Sequence, residues 1–198
     1  MNLKAKTRLL VALVALSGGP ILTGDAWAGP VAADRSGWAW GVHGGMGTGQ
    51  IEDGDENQPR RFGMSLGGWL GYGLSQDWVL RSDLRVWRRM SSGNKMLLAE
   101  PTLGAAFYPG GRPFFFQAGV GAGYAALEPW DAGTERVWAW GPDLFFGMGY
   151  EFPLSPSSAF SVHLDASYVH LGRVDEDAVK LRRVGVNYTD LVFTYNWY

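Results

Sequence analysis

Three polar residues close together in the chain, His163, Asp165 and Ser167, are the side-chain types of a hydrolase triad. A working triad needs its nucleophile and its base within about 3 Å of each other. These residues alternate with apolar neighbours, as in a β-strand, and successive positions on one strand face are roughly 6.6 Å apart. One extended strand cannot bring such groups together, so we interpret the set as one face of a strand rather than a catalytic centre.

Other patterns that could bind a ligand are incomplete. Acidic residues at 52–56 and 175–177 could bind divalent cations, but neither segment has the glycine and the terminal glutamate of a calcium loop at the required offsets. The glycine-rich run at 44–49 lacks the helix that follows a nucleotide phosphate loop. The sequence therefore predicts no catalytic, cofactor-binding or metal-binding residue, and we interpret both acidic segments as solvated loops.

The rest of the chain shows which elements would carry these residues. Apolar residues recur at every second position, which predicts strands rather than helices. Eight segments are long enough to cross an outer membrane as tilted strands, which takes roughly 9 to 11 residues. They lie near 37–49, 61–73, 78–90, 95–108, 113–126, 136–152, 159–171 and 182–197. This predicts an all-β, eight-stranded, antiparallel up-and-down transmembrane β-barrel, with a soluble two-layer sandwich as the alternative.

Charged residues indicate which strand face lies inside the barrel. In the third segment, Arg81, Asp83 and Arg85 alternate with apolar side chains. An arginine facing lipid at the membrane centre costs about 2–4 kcal/mol, so this face must point inward. The predicted inward charged set is Arg81, Asp83, Arg85, Glu100, Asp143, Glu151, His163 and Asp165. An eight-stranded barrel is just wide enough for its own side chains, which favours a plug of paired charges; a narrow ion path is the alternative.

Aromatic residues gather at both ends of the predicted strands, as two lipid–water interfaces would select and a sandwich would not. One group is Trp38, Tyr72, Trp78, Tyr108, Phe114, Phe152, Phe160 and Trp197; the other is Phe62, Trp87, Tyr124, Trp138 and Tyr168. Short turns at 75–77, 109–112 and 153–158 accompany the first group. Connections at 51–60, 91–94, 127–135 and 172–181, mostly longer and acidic, accompany the second. Short turns face the periplasm in such barrels, so we expect both termini there.

The first 28 residues have the three parts of an export signal. Lys4, Lys6 and Arg8 precede an apolar run at 9–16, and residues 26–28 form a small-x-small cleavage site. The apolar run is shorter than the roughly 20 residues of a membrane anchor, which is the alternative. We therefore predict a signal peptide at 1–28 and a barrel domain at 29–198.

The charge of the mature chain limits its partners. Removing Lys4, Lys6, Arg8 and Asp25 from 17 basic and 19 acidic residues leaves 14 and 18, a net charge of −4. Binding of nucleic acid needs a basic face, so this balance argues against it. The chain has no cysteine, so no disulfide framework supports the fold of this exported protein.

Residues 103–112, followed by the alternating stretch 114–123, resemble the middle hairpin of the small outer-membrane β-barrel domain family. That family includes the eight-stranded barrels of the outer-membrane protein A and X type. The stretch 191–198, which alternates up to an aromatic end, is typical of their closing strand. The resemblance implies a bacterial outer-membrane protein inserted by the outer-membrane assembly machinery, with outer-membrane lipid and lipopolysaccharide as its surroundings. It carries no activity with it.

His170, at the end of the seventh segment, resembles the histidine of the lipid A 3-O-deacylases, which are eight-stranded barrels with a His-x-Ser pair on the lipid face and an acidic residue nearby. Here Gly172 stands at the serine position and has no hydroxyl, so the acyl-enzyme route is closed. Residues 175–177 could supply the acid but equally fit an acidic surface loop. We expect a non-enzymatic integral outer-membrane protein with an envelope structural or surface-interaction role; an outer-leaflet hydrolase of the lipid A deacylase type is the alternative.

Overall fold

Eight long strands form one closed antiparallel sheet in the computed structural model, which describes residues 33–53, 56–89, 95–128, 137–176 and 179–198. The strands are β1 (Gly37–Asp53), β2 (Arg61–Gly73), β3 (Trp78–Arg89), β4 (Lys95–Phe107), β5 (Phe114–Glu128), β6 (Val137–Ser155), β7 (Ser158–Glu176) and β8 (Val179–Trp197). Each pairs with the next along the chain. β8 also pairs with β1, from Trp40–Trp197 to Asp53–Val184, which closes the barrel. The predicted fold class is confirmed.

Smaller elements and the start of the chain complete this description. A two-residue strand, Glu56–Asn57, folds back on the end of β1, and a single 3-10 turn, Pro109–Gly111, joins β4 to β5. Within the described ranges, no helix is long and apolar enough to cross a membrane. The predicted signal peptide at 1–28 lies outside the described residues.

Two predicted connections are largely strand. The segment 172–181, expected as a loop, continues the β7–β8 ladder, with Val174 opposite Leu181 and Glu176 opposite Val179. β6 likewise runs past Pro153 to Ser155, with a shift of register between them. Polar composition suggested loops here, but a hairpin that extends beyond the bilayer keeps its ladder hydrogen bonds with polar side chains in water.

The alternation of the strands separates an apolar outer surface from a polar interior. On β3 the outward Leu80, Leu84 and Val86 are exposed, whereas Asp83 and Arg85 are buried. Two members of the predicted aromatic groups do not face outward: Trp87 is 0% exposed and Tyr108 is 5% exposed. Trp87 has the same parity as Arg85 and so points inward, and Tyr108 follows the last residue of β4 and packs against Phe115 inside the barrel. In both cases the alternation of side chains, rather than the height of the residue in the membrane, determined whether the ring points into the lumen.

Glycines on the inward face make room for the large interior side chains. A Cβ at Gly147 would lie 2.1 Å from Oδ1 of Asp165, and one at Gly63 would lie 2.2 Å from Cζ2 of Trp87. Neither position can accept a side chain while its neighbour stays in place.

The interior has three layers. The terminal end, defined by Asp34, Tyr198 and the turns at 74–77, 108–113 and 156–157, contains a cluster of Ala39, Trp69, Val79, Ala106, Tyr108 and Phe115. The opposite loop end contains Ile51, Trp87, Met96, Leu98, Ala125, Val169, Leu171, Val184, Val186 and Tyr188. Between these two apolar clusters lies a buried layer of charged and polar side chains.

Candidate functional site: the filled lumen and the loop-end rim

The centre of the polar layer is Asp165 on β7. Its Oδ2 lies 2.5 Å from Nη2 of Arg85, and its Oδ1 accepts a hydrogen bond of 2.7 Å from Gln117. Nδ1 of His163 lies 2.8 Å from the same Oδ1. Because an isolated buried charge is costly, these partners are what allow the Asp165 carboxylate to remain inside the barrel.

A second ion pair joins β3 to the same network. Nη2 of Arg81 lies 2.6 Å from Asp83, and Nε2 of His43 lies 3.2 Å from the other oxygen of that carboxylate. Nη1 of Arg81 donates to Gln117 at 2.7 Å, which links the two ion pairs across the lumen. The guanidinium also lies over the Trp69 ring, 4.7 Å from its centroid. With the contacts of Asp165 on β7, these side chains link β1, β3, β5 and β7.

Two further carboxyl groups meet at one hydroxyl. Oγ of Ser167 lies 2.7 Å from Glu100 and 2.8 Å from Asp143, and the Tyr188 hydroxyl donates to the second oxygen of Glu100. A hydroxyl has one hydrogen, so Ser167 donates to one of these two carboxyl groups at a time. Seven of the eight predicted inward charged residues thus belong to this polar layer, and the eighth, Glu151, lies at the terminal end.

The space left in this network is small. Two of the cavities lined by described residues have volumes of about 10 Å³ each, one beside Glu100, Asp143 and Ser167 and the other beside His163 and Thr194. A volume of this size corresponds to about one water molecule. Neither of these two cavities has room for a hydrated ion or an organic substrate.

The terminal end is closed by Arg35, a residue that precedes β1 and enters the lumen. Its Nη2 and Nε lie 2.9 Å and 3.1 Å from Oε1 of Glu151, and both side chains are buried. The Tyr108 hydroxyl donates to Oε2 of Glu151 at 3.2 Å, and the Tyr198 hydroxyl donates to the same oxygen. Sequence reasoning predicted Glu151 but missed Arg35, because the first strand was predicted to begin near residue 37 and Arg35 was assigned to no strand face.

Burial and charge shift the pKa values of this terminal cluster. Burial lowers the pKa of Arg35, but the Glu151 carboxylate, together with Tyr108 and Tyr198, outweighs this effect and the net pKa is raised. Burial, followed by the Glu151 charge, raises the pKa of Tyr108, and burial with its neighbours Tyr108 and Glu151 raises the pKa of Tyr198. At neutral pH the two tyrosines are therefore hydrogen-bond donors and Arg35 is a permanent cation.

The triad residues are arranged differently from the prediction. His163 and Asp165 do meet, at 2.8 Å, although they lie on one strand, so the expected separation is wrong for this pair and holds for the nucleophile and the base, Ser167 and His163. Ser167 does not join them and contacts Glu100 and Asp143 instead. The hydroxyl beside Nε2 of His163 belongs to Thr194 on β8, at 2.8 Å. Thr194 is 2% exposed and lines the water-sized cavity beside His163, which has no room for a substrate carbonyl group.

His170 lies on the outward face at the loop end, opposite Gly185, and is exposed. Gly172, which stands where the deacylase pair has serine, occupies a shift in the β7–β8 register and has a φ of +73°. That conformation favours glycine, so a serine would be strained at this position. Among the described residues, no hydrogen bond joins the His170 ring to a serine or threonine hydroxyl.

A metal site would need several acidic or histidine side chains close together. In the part of the chain that the structure describes, no group of three or more histidine, aspartate or glutamate side chains could hold a metal ion. The acidic segments 52–56 and 175–177 lie partly outside the described residues.

Comparison with known proteins identifies the fold. No family model and no curated protein matches the chain. Among solved structures, neisserial surface protein A is similar with a TM-score of 0.57 and 14% identity, over 80% of this chain and 97% of that chain. The attachment invasion locus protein Ail of Yersinia pestis, in complex with the heparin analogue sucrose octasulfate, has a TM-score of 0.49 and 16% identity, over 81% and 99%. The outer membrane protein OprG of Pseudomonas aeruginosa has a TM-score of 0.44 and 12% identity, over 84% and 98%.

The class of protein follows from the closed barrel and from the first of these similarities. The chain has the fold of the small eight-stranded bacterial outer-membrane β-barrels, as the residues at 103–123 predicted. Such low identities define the fold and leave the activity open.

Proposed function

We propose that this protein is a non-conducting, non-enzymatic outer-membrane barrel with an envelope structural or surface-interaction role. The observation that carries the proposal is the filled lumen, in which paired charges such as Arg85–Asp165 lie between two apolar clusters. Breaking one buried ion pair by removing a partner costs about 3–5 kcal/mol, so a continuous path through this interior would be rarely open.

The proposal includes an orientation and a set of partners. The terminal end faces the periplasm, because its turns are short, and the loop end faces the outside of the cell. Outer-membrane lipid and lipopolysaccharide then surround the outward face. The outer-membrane assembly machinery inserts the chain.

Planar-bilayer recording tests whether the lumen is closed. Native protein is expected to give no stable conductance steps, whereas an Arg85→Ala/Asp165→Ala variant, which removes the central pair, is expected to leak. Protease protection in vesicles prepared in parallel shows that the silent protein has inserted. Large, stable steps from the native barrel would overturn the proposal.

A separate measurement tests the non-enzymatic part. Purified barrel in detergent is incubated with lipopolysaccharide, and the lipid A mass is expected to stay unchanged because Gly172 supplies no nucleophile. Loss of an acyl chain by the native protein, abolished in His170→Ala, would favour the hydrolase instead.

A further inference from the structure

One sector of the outward face is polar at the loop end. Outward residues pair across β7, β8 and β1 in successive rows: Thr189 lies opposite Thr48, Asn187 opposite Gln50, and Gly185 opposite Glu52. Asn187 also lies opposite Tyr168, and Gly185 opposite His170. With Arg60, which follows the Glu56–Asn57 strand, these residues form the loop-end patch: Thr48, Gln50, Glu52, Arg60, Tyr168, His170, Asn187 and Thr189.

The patch interrupts a mainly apolar outer surface. On β5 and β6 the loop end carries the exposed aromatic residues Tyr124, Trp138 and Trp140, as a lipid interface favours. The row below the patch, towards the membrane centre, is apolar, because Leu191 lies opposite both Met46 and Leu164. A polar surface that continues directly into an apolar one matches an amphiphilic ligand rather than a soluble one.

Arg60 is the cation of the patch. Its Nη1 donates to Oδ1 of Asn187 at 3.1 Å, and its Nη2 and Nε donate to the carbonyl and hydroxyl of Thr48 at 3.3 Å and 3.4 Å. Among the described residues its hydrogen bonds go to neutral groups, so its positive charge is not neutralised by a carboxylate there. A guanidinium held in this way presents its remaining N–H groups to an anion, and phosphate is the anion that its planar fork fits best.

The one acid of the patch is already engaged. Oε1 of Glu52 accepts a hydrogen bond of 2.7 Å from Nδ2 of Asn187, whose Oδ1 receives Arg60. Asn187 therefore separates the guanidinium from the carboxylate and orients both. The Tyr168 hydroxyl reaches over Gly185, where it would lie 3.1 Å from an added Cβ, and brings a further donor to the edge of the patch.

We propose that the loop-end patch binds the phosphate-bearing head group of an outer-leaflet lipid, with Arg60 on the phosphate and the acyl chains along Met46, Leu164 and Leu191. Thr189, Tyr168 and Asn187 line the same surface and contact the hydroxyl and amide groups of the head group. The inference rests on the outer-membrane placement proposed above and deepens it by naming the site of the lipid.

The test compares two exposed arginines of the loop end. Arg88 also faces outward, but it lies opposite Met64 and Leu97, so Arg88→Ala is the matched control for Arg60→Ala. Native mass spectrometry of the mature barrel, released from phosphatidylcholine nanodiscs doped with lipid A, measures retention of bisphosphorylated lipid A against lipid A that has lost its phosphates. Heat-modifiable migration on gels verifies that each variant is folded.

The expected result is selective. Arg60→Ala lowers retention of the phosphorylated lipid about tenfold, the size of one charge-assisted hydrogen-bonded contact, and Arg88→Ala changes it less than about twofold. The phosphate-free lipid binds all three proteins equally weakly, and millimolar inorganic phosphate does not compete.

Several results would overturn the proposal that the loop-end patch binds a lipid head group. Unchanged retention in Arg60→Ala, an equal loss in Arg88→Ala, or equal binding of the phosphate-free lipid would each do so, and full competition by inorganic phosphate would reassign the patch to free anions. A conducting lumen in the bilayer recording leaves this site intact, and loss of the lipid preference leaves the closed lumen intact, so the two proposals fail separately.

Discussion

The two ends of the lumen are closed by different kinds of interaction. At the terminal end, Arg35 and Glu151 form a buried pair that also receives the hydroxyls of Tyr108 and Tyr198. At the loop end the filling is mainly apolar, and Trp87 stacks on Tyr188 with their ring centroids 5.2 Å apart, while the buried Arg89 donates to Gln58 and to the carbonyl of Pro59. Closure by charge requires every partner to be present, whereas closure by packing requires the volume to be filled.

The local chain explains the difference. At the terminal end the segment before β1 passes the short turns, and their carbonyls at Gln76 and Gly111 accept hydrogen bonds of 3.2 Å and 3.1 Å from Arg35. A guanidinium has five donors, and this end supplies acceptors for several of them. At the loop end the buried cluster is mostly aliphatic and aromatic, which offers volume rather than acceptors, and the buried Arg89 finds its acceptors in Gln58 and the Pro59 carbonyl. The two ends should therefore respond to different perturbations.

The largest effect is expected from Glu151→Ala. This change leaves Arg35 buried without its anion and should lower the free energy of unfolding by about 4 kcal/mol. Urea unfolding in phospholipid vesicles, followed by tryptophan fluorescence, measures it, with Arg112→Ala, an exposed arginine at the same end, as the control. Arg35→Met/Glu151→Met should recover most of the loss; a loss below about 1 kcal/mol in the single variant would contradict the charge-based closure.

At the loop end, Leu98→Ala should cost about 3 kcal/mol, since Leu98 is fully buried and the change leaves a cavity. Its neighbour Leu97 is 45% exposed on the outward face, so Leu97→Ala should cost less than about 1 kcal/mol in the same unfolding assay. Equal losses at the two positions would mean that packing does not close this end.

Gly147→Ala probes the polar layer between the two ends. The new methyl group would overlap Oδ1 of Asp165 and displace the carboxylate from Arg85, at an expected cost of about 2 kcal/mol. Gly44→Ala is the control, because a Cβ there finds its nearest neighbour at 3.7 Å. If both variants unfold at the same urea concentration, the fit around Asp165 is looser than the distances indicate.

The smallest effect is a pH dependence confined to the terminal end. The folded state raises the pKa of Tyr108 and of Tyr198, so in the unfolded chain these tyrosines lose their protons at a lower pH than in the native protein. Their contribution is complete below about pH 10 and is lost as pH rises towards the folded pKa, by about 1 kcal/mol per tyrosine between pH 10 and pH 11.

Unfolding titrations at these two pH values measure this loss. Tyr108→Phe/Tyr198→Phe should flatten the dependence, and Leu98→Ala should not change it. An unchanged slope in the double phenylalanine variant would place the alkaline sensitivity elsewhere.

The candidate site was partly predictable from the sequence. The inward direction of four charged residues was predicted correctly: Asp83, Arg85, Glu151 and Asp165. A charged side chain on a membrane strand costs free energy when it faces lipid, so it must point into the lumen. Arg35, Thr194 and Asn187 were not singled out, because their roles depend on partners from distant strands. Asn187, for example, connects Arg60 with Glu52, and Asn187 and Glu52 are 135 positions apart in the sequence.

Alternation of side chains along the sequence by itself determined the strand class, the number of strands, the face that each residue presents and the paired-charge character of the interior. The physical reason is that lipid and lumen are different solvents, and the two-residue period of a strand assigns each position to one of them. Only the tertiary structure decided which charges pair, that His163 meets Asp165 and Thr194, that Trp87 and Tyr108 fill the lumen, and that Arg35 closes the terminal end. These contacts depend on the register and closure of the barrel, in which β8 meets β1, and no local pattern encodes that meeting.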